Sequence, residues 1–313
     1  MKFGIVGAGA MGCLLGSLLV RAGNEVWLVD IREEQVSRIR DHGLTVISKG
    51  KPEIIRIRAT TNTRDVGICD VVIISTKFHH TRTAIQDAGS LIDDETLVMT
   101  IQNGIGNVET ISEFVDQKQI LFGFTTLGSV TRGPGEIEAT FSDEAVTHIW
   151  PLTGEPDQRV KDVVNVFKQA HLSFHLSPDV REQIWKKLCL NASFSVPLAI
   201  PRLKCGDFIN QPASLDLIRA LVSEIAAVAN KEGVDINPEE AYEYVVGLAR
   251  QAPNHLPSPL IDVINHRKTE IDCLNGAIVE KARSHGIEVP YNTAIYHLIK
   301  IMEDTYDKSI QHQ

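Results

Sequence analysis

The residues near the start of the chain have the types and spacing that bind a dinucleotide. An apolar segment, Lys2 to Val6, leads directly into Gly7-Ala8-Gly9-Ala10-Met11-Gly12, and a predicted helix follows. Gly7 allows a tight turn, Gly9 lets a pyrophosphate approach the backbone, and Gly12 permits close packing of helix on strand. Phosphates would then lie at a helix N-terminus, where unpaired N–H groups and the helix dipole favour an anion. A tight turn without a ligand is the alternative, but the flanking strand and helix favour dinucleotide binding.

An acid at the end of the second predicted strand bears on which dinucleotide is bound. That strand, Glu25 to Val29, ends at Asp30, and Arg32 follows two residues later. A carboxylate at this position accepts hydrogen bonds from a ribose 2′-OH and repels a 2′-phosphate, which favours NADH. Arg32 offers the opposite option, because its guanidinium could swing in to accommodate NADPH.

Lys187 and Asn191 belong to a polar stripe on a predicted helix in the second half of the chain. The two residues lie one turn apart, and Gln183 and Ser195 extend the series in both directions. Apolar residues supply the other side of the same helix. Such a stripe faces either solvent or a ligand cleft, and the spacing alone leaves both interpretations open.

Glu270 is predicted in the first turn of a helix that runs from Thr269 to His285. A carboxylate at that position is favourable through the helix dipole alone. Its functional interpretation is as a partner for a buried lysine ammonium.

The first half of the chain must supply a sheet that positions the dinucleotide-binding residues. Strands and helices alternate there, which predicts a doubly wound parallel sheet. Asp70 to Thr76, Thr96 to Ile101 and Gln119 to Phe124 are apolar segments of the kind that are buried on both faces. Lys77 follows the first of them and Gln102-Asn103-Gly104 the second, and ligands bind at the carboxyl ends of such strands.

Two further features complete the predicted organisation. Thr45 to Ile47 and Glu53 to Ala59 are expected to form a small hairpin outside the main sheet. From Ser177-Pro178 onward the chain reads as successive helices. We therefore predict an α/β fold with an N-terminal Rossmann-type doubly wound parallel sheet, residues 1–176, and a second, all-α substrate-binding domain, residues 177–313. The interface between the two would be the natural substrate cleft.

Composition excludes several classes of function. The net charge of the 313 residues is −9, and no basic run is long enough to predict a nucleic-acid or membrane-surface partner. The N-terminus is already a strand, which predicts a cytoplasmic protein without a cleaved leader. His79 and His80 are adjacent and would point apart on a helix, so no metal site is predicted. A homodimer through the helical half and a monomer both agree with the composition.

Taken together, these residues resemble the ketopantoate reductases, also called 2-dehydropantoate 2-reductases, over essentially the whole chain. The Thr-Glu-Ile-Asp-x-x-Asn-Gly stretch narrows the choice, because the glycine pattern and the Lys-x-x-x-Asn helix also occur in other dehydrogenases. The motifs that carry the resemblance are Gly7 to Gly12, Lys77, Gln102-Asn103-Gly104, Trp185-Lys186-Lys187-Leu188 with Asn191, Ser258, and Thr269-Glu270-Ile271-Asp272 with Asn275-Gly276.

The resemblance implies the reduction of a 2-keto acid, most simply 2-dehydropantoate to pantoate, with NADPH as the family's usual cofactor. Lys187 would be the general acid, and Glu270 would position its ammonium and keep it charged. Asn103 and Lys77 would hold the nicotinamide-proximal region, where Glu270 is also expected, and the reacting groups, so that Asn103 would bind substrate as well. Asn191 and Ser258 would bind the substrate, as would Ser195 where it replaces a second asparagine common in the family.

That replacement and Asp30 are departures from the family pattern, and they leave two alternatives open. One is a D-2-hydroxyacid dehydrogenase of the same fold that acts on another branched or aromatic 2-keto acid with NADH. The other, from a different class, is a dinucleotide-sensing protein without turnover.

Overall fold

The computed structural model describes residues 1–308, so the last five residues of the predicted second domain lie outside it. The strands are β1 Lys2–Val6, β2 Glu25–Val29, β3 Leu44–Ser48, β4 Lys51–Ile55, β5 Arg58–Thr60, β6 Val71–Ile74, β7 Leu97–Thr100, β8 Ile120–Thr125, β9 Ser129–Gly133, β10 Glu136–Ala139, β11 Val146–Pro151 and β12 Ser173–Leu176. The helices are α1 Ala10–Arg21, α2 Glu33–His42, α3 Thr81–Asp87, α4 Asn107–Ser112, α5 Gln158–Gln169, α6 Val180–Leu190, α7 Cys205–Ile209, α8 Pro212–Lys231, α9 Pro238–Gln251, α10 Ser258–Ile264, α11 Asn275–Ser284 and α12 Pro290–Asp304.

The chain forms two compact units. The first contains residues 1–102 and 107–180, and the second contains Asn103–Gly106 together with the chain from Arg181 onward. The short segment Asn103–Gly106 follows β7, yet it belongs to the helical unit. The boundary between residues 176 and 177 stays a prediction.

The first unit is built on an eight-stranded sheet in the order β12-β11-β8-β7-β6-β1-β2-β5. Neighbouring strands are parallel except β11, which is antiparallel to β8. All residues of β6 and β7 are buried, because helices cover both faces of a doubly wound sheet. The prediction of a Rossmann-type sheet followed by a helical region is confirmed.

The predicted strand Glu53 to Ala59 is wrong as a single element. The structure divides it into β4, which pairs with β3 in a hairpin, and β5, which joins the main sheet beside β2. The hairpin extends into a separate four-stranded sheet in the order β4-β3-β10-β9. The alternation of apolar and polar residue types along the sequence hid the change of sheet, which occurs within two residues.

The second unit consists of helices and turns in the part of the chain that the structure describes. Proline occupies the first turn of α8, α9, α10 and α12, where its missing N–H costs no helical hydrogen bond. Asn237 caps α9 by accepting hydrogen bonds from the backbone N–H groups of Glu239 and Glu240. Within residues 1–308, no helix combines the length and apolarity needed to cross a membrane.

Two helices of the second unit differ from prediction. The helix expected from Thr269 to His285 is not continuous: a short 3-10 turn, Ile271–Cys273, comes first, and α11 begins only at Asn275. Glu270 therefore precedes the 3-10 turn instead of lying in the first turn of a long helix. In addition, α6 ends at Leu190 and continues as a π-helical turn, Asn191–Ser195.

Candidate active site

The glycine turn between β1 and α1 has the geometry of a phosphate-binding loop. Gly7 has a φ of +105°, and a Cβ at this residue would lie 2.7 Å from the Ser75 carbonyl oxygen after β6. A side chain at Gly12 would collide with the Gly7 carbonyl, whereas Gly9 has open space where its Cβ would be. Gly7 and Gly12 are therefore required by packing, and the backbone at Gly9 is accessible to a ligand.

Residues at the carboxyl ends of the strands fit a bound dinucleotide. The turn lies where the sheet order reverses, since β1 has β2 on one side and β6 on the other. Thr76, just after β6, has a buried hydroxyl oxygen with no hydrogen-bond partner among the described residues. Buried hydroxyls are normally paired, so this atom is suited to a ligand at the same edge.

Asp30 and Arg32 form a paired group beside the glycine turn. The Arg32 Nε and Nη2 atoms donate to the two Asp30 carboxylate oxygens at 2.9 and 3.0 Å, and Nη2 also reaches the Ala8 carbonyl. Burial opposes ionisation of Asp30, but the hydrogen bonds from Arg32 hold the pKa of this carboxyl below its usual value. The Asp30 carboxylate is thus charged and lies beside the backbone of the glycine turn at Ala8.

Lys77 follows Thr76 in the segment after β6. It precedes a short 3-10 turn, Phe78–His80, and is half-buried. The His79 and His80 rings lie 4.2 Å apart, and both residues are exposed. No group of three or more His, Cys, Asp or Glu side chains within residues 1–308 has an arrangement that could hold a metal ion.

The second unit brings together Lys187, Asn103 and Glu270. The Lys187 ammonium donates to Asn103 Oδ1 at 2.8 Å, and Asn103 Nδ2 lies 3.4 Å from Glu270 Oε2. The amide of Asn103 therefore connects an ammonium to a carboxylate that is only 9% exposed. These three sequence-predicted site residues therefore form one hydrogen-bonded group.

Burial makes Lys187 a more acidic group than an ordinary lysine. Loss of hydration lowers its pKa from 10.5 to about 8, and the negative charge of Glu270 acts against this by raising it. A lysine whose pKa lies near neutral pH is charged in most molecules and still able to release a proton. The residue is therefore suited to donate a proton to a developing alkoxide.

Backbone packing against Cys273 fixes the position of Asn103. The Cys273 carbonyl accepts a hydrogen bond from Ile105 N–H at 3.0 Å, and its thiol approaches the Asn103 carbonyl at 3.5 Å. Gly104, between Asn103 and Ile105, has a φ of +77°, and any Cβ there would overlap Cys273. Glycine is thus required at this position for the Asn103 segment to pack against Cys273.

Helix α12 fixes the segment that carries Glu270. Glu303 Oε1 accepts hydrogen bonds from the backbone N–H and the hydroxyl of Thr269, both at 2.7 Å. Asp272 accepts from Tyr296 and Lys300 on the same helix. Glu270 is therefore held on both sides, although it does not lie in a regular helix.

The remaining predicted substrate-binding residues also lie in the second unit. Asn191 is half-buried at the start of the π-helical turn, and Ser195 is buried at its end. Ser258 is exposed and begins α10. The regular one-turn spacing predicted from Lys187 through Asn191 to Ser195 holds only for an α-helix, so the π turn shifts Ser195 relative to that stripe.

Sequence reasoning missed two residues that shape the dinucleotide region. Gln35, buried on α2, donates to the Ala8 carbonyl at 2.8 Å and accepts from Gly135 N–H at 2.9 Å. It ties the glycine turn to a distant turn. The sequence predicted Thr76 only as the end of an apolar strand. Neither position belongs to a motif, and the only available signal was that Thr76 lies at a strand end that faces ligands.

Comparison with known proteins agrees with this geometry. The family model of ketopantoate reductase PanE/ApbA matches residues 3–151, and the C-terminal model of the same family matches residues 179–303. The chain is 29% identical to a 2-dehydropantoate 2-reductase of Streptococcus pyogenes serotype M3, covering 96% of this chain and 97% of the relative. It is 31% identical to a 2-dehydropantoate 2-reductase of Pyrococcus abyssi, covering 96% and 97% of the two chains.

A solved structure of D-mandelate dehydrogenase with NADH and anilino(oxo)acetate is also similar. It has a TM-score of 0.93 and 29% sequence identity, and the match covers 99% of this chain and 100% of the other. The family models together account for both units of the structure. The chain belongs to the ketopantoate reductase PanE/ApbA family.

Proposed function

We propose that this protein is a 2-dehydropantoate 2-reductase, which reduces 2-dehydropantoate to pantoate with a nicotinamide dinucleotide. The observation that carries the proposal is the hydrogen-bonded group of Lys187, Asn103 and Glu270 in a chain of this family. Full-length similarity to 2-dehydropantoate 2-reductases supports the choice of substrate. An intact proton donor argues against a sensor without turnover.

Lys187 supplies the proton in the proposed reaction. When bound, the dinucleotide provides the hydride that adds to C2 of the 2-oxo acid. As the C2=O double bond becomes a single bond, negative charge develops on the oxygen. The Lys187 ammonium stabilises this charge and transfers one proton to the oxygen, which yields the 2-hydroxy acid and a neutral amine.

Asn103 and Glu270 keep the proton donor in place and charged. The side-chain oxygen Oδ1 of Asn103 accepts one N–H of the ammonium, which orients the remaining N–H groups. The carboxylate of Glu270 offsets part of the cost of burying the ammonium, so the pKa of Lys187 stays at about 8 instead of falling further. Asn191, Ser195 and Ser258 are the proposed ligands of the substrate carboxylate and hydroxyl.

NADH is the dinucleotide that the local chemistry favours. The Asp30 carboxylate is ionised, 9% exposed and held by Arg32 beside the glycine turn. It can accept hydrogen bonds from a ribose 2′-OH and would repel a 2′-phosphate. We therefore propose that this chain prefers NADH, although NADPH is the usual cofactor expected from the family resemblance.

We expect Asp30→Ala to change the dinucleotide preference towards NADPH. The substitution removes the hydrogen-bond acceptor for the 2′-OH and releases Arg32 to meet a phosphate. The ratio of the Kd for NADPH to the Kd for NADH should fall by about tenfold or more, as for the loss of a charged hydrogen bond. Titration of tryptophan fluorescence with each dinucleotide measures both constants. Asp41→Ala, which removes an exposed acid on α2, is the control, and an equal change in both variants would contradict the proposal.

A D-2-hydroxyacid dehydrogenase is the second candidate function. It is favoured by the similarity to the D-mandelate dehydrogenase structure, which was solved with NADH and anilino(oxo)acetate. In addition, Ser195 stands where an asparagine is expected, and its shorter side chain reaches less far towards the proposed substrate. Both candidates use the same proton donor and differ in the group attached to the keto acid.

A panel of 2-oxo acids separates the two functions. The kcat/KM values for 2-dehydropantoate, 2-oxoisovalerate and phenylglyoxylate would be measured with NADH and with NADPH. We expect 2-dehydropantoate to have the highest value with the preferred dinucleotide. A much higher value for phenylglyoxylate or 2-oxoisovalerate would assign the second function, and binding of dinucleotide without turnover of any 2-oxo acid would leave the sensor interpretation.

A further inference from the structure

A chain of buried amides leads from helix α12 to the π-helical turn Asn191–Ser195. Asn275 Nδ2 donates to the Ala192 carbonyl in this turn and to Asn292 Oδ1, both at 3.0 Å. Asn292 Nδ2 in turn donates to Glu224 Oε2 at 2.7 Å. Asn275 and Asn292 are completely buried. We call Asn275, Asn292 and Glu224 the amide chain.

The π turn leaves the Ala192 carbonyl without a backbone donor of the helical kind. In an α-helix this carbonyl would accept from Val196 N–H, but Val196 N–H donates to the Asn191 carbonyl at 2.9 Å. The next residue is Pro197, which has no N–H. A buried carbonyl with no partner is costly, and the Asn275 amide provides that partner. Asn275 therefore stabilises the π turn against an α-helical alternative in which Val196 bonds to Ala192.

The carboxylate of Glu224 fixes the direction of the whole amide chain. A carboxylate only accepts hydrogen bonds, so the NH₂ group of Asn292 must face Glu224, and its oxygen must face Asn275. That oxygen requires the NH₂ group of Asn275, which is then also directed at the Ala192 carbonyl. Glu224 itself is held because it accepts the backbone N–H groups of Tyr291 and Asn292 at the start of α12. Flipping either amide would place two acceptors against each other.

We propose that the amide chain is a positioning device that holds the π turn and thereby sets the shape of the 2-oxo acid site. This inference rests on the proposed function, because the turn begins at Asn191 and ends at Ser195, the proposed substrate ligands. Return of the turn to α-helical geometry would rotate Ser195 about the helix axis relative to Lys187 and Asn191. Asn275, Asn292 and Glu224 act on substrate selection through this turn and not by contact with the reacting atoms.

The test compares Asn275→Ala and Asn292→Ala with a matched control, Asn230→Ala. The Asn230 amide also bonds to backbone atoms in the second unit, the N–H and carbonyl of Ile236, but it does not belong to the amide chain. Hydrogen–deuterium exchange of the peptide spanning 188–200 reports on the turn. Steady-state kinetics with 2-dehydropantoate and the Kd of the dinucleotide report on the site.

For Asn275→Ala we expect faster exchange in the peptide spanning 188–200 and a KM raised by about tenfold or more, the effect of losing a buried hydrogen bond. The kcat should fall less than KM rises, and the Kd of the dinucleotide should be unchanged. Asn292→Ala should act in the same direction with a smaller effect, although it does not contact the turn. Asn230→Ala should lower the Tm by a similar amount but change neither the exchange of this peptide nor the KM.

The inference would be overturned if Asn275→Ala and Asn292→Ala changed the exchange rate and the KM no more than Asn230→Ala does. If Asn275→Ala does not fold, Asn292→Ala and the isosteric Glu224→Gln decide it by the same two readouts. If the wild-type protein turns over no 2-oxo acid, the proposed function fails. The exchange comparison still supports or rejects the role of the amide chain in that case.

Discussion

Replacing Lys187 with methionine is expected to lower the kcat for 2-dehydropantoate by about a hundredfold or more, the usual contribution of a general acid. Methionine keeps much of the apolar stem and removes the only group proposed to protonate the C2 oxygen. The Kd of the dinucleotide should be unchanged, because the glycine turn and Asp30 are its proposed binding residues. Stopped-flow or steady-state rates of dinucleotide oxidation measure the loss.

Two further variants separate proton donation from charge and from a general disturbance of the helix. Lys187→Arg keeps a cation but should remain slow, because a guanidinium does not release its proton at neutral pH. Lys186→Met removes the neighbouring lysine, which is exposed and paired with Glu182 one turn earlier. That control should stay within about twofold of wild type, as expected for an exposed ion pair. Near wild-type activity of Lys187→Met would rule out this residue as the proton donor.

The second large effect is expected for Glu270→Gln, and it should depend on pH. The Glu270 carboxylate raises the pKa of Lys187, against the larger effect of burial. Removing its charge lowers that pKa below about 8, by about one pH unit or more for a close opposite charge. Less ammonium is then present at neutral pH, so the rate of reduction falls. The rate should recover on acidification, because protonation of Lys187 is restored.

The pH dependence distinguishes this electrostatic role from a structural one. Glutamine has nearly the same shape and can still accept from Asn103 Nδ2. Rate profiles for wild type, Glu270→Gln and the exposed control Glu182→Gln would be compared over the same pH range. A loss of equal size at every pH in Glu270→Gln would show that the carboxylate only supports the local structure.

Local sequence signals predicted the strand, glycine turn and helix at the start of the chain well. The turn from Gly7 to Gly12 is specified by neighbouring residues, since the strand, turn and helix are contiguous and close backbone contacts require glycine at Gly7 and Gly12. Proline in the first turn, as at Pro212 of α8 and Pro259 of α10, is also a local signal for a helix start, because proline and capping residues act within one turn.

The candidate catalytic group depends on contacts that no local pattern encodes. Asn103 and Lys187 are 84 positions apart, and their pairing requires Gly104 to pack against Cys273. Family resemblance named these residues, whereas spacing alone left Lys187 on either a solvent face or a ligand face. Tertiary packing therefore decides whether the face of α6 that bears Lys187 lies towards solvent or towards a ligand.

The π turn and the interrupted helix after Thr269 were missed for a related reason. Helical periodicity assumes a constant number of residues in each turn, and a change from α to π alters the register without altering composition. The buried amide of Asn275 gives the Ala192 carbonyl the hydrogen bond that Pro197, without an N–H, cannot donate, and Asn275 is far from this turn in sequence. Only the three-dimensional contacts connect them.

The pH profile of kcat/KM for 2-dehydropantoate in the wild-type protein tests the central claim most directly. In the proposed mechanism, reduction requires the charged form of Lys187, because its ammonium donates the proton, and burial lowers the pKa of this group to about 8. The value should therefore be constant at lower pH and fall as pH rises through about 8. A profile that rises through this range, or no turnover of 2-dehydropantoate at any pH with either dinucleotide, would contradict the assignment of Lys187 as the acid in a 2-dehydropantoate reductase.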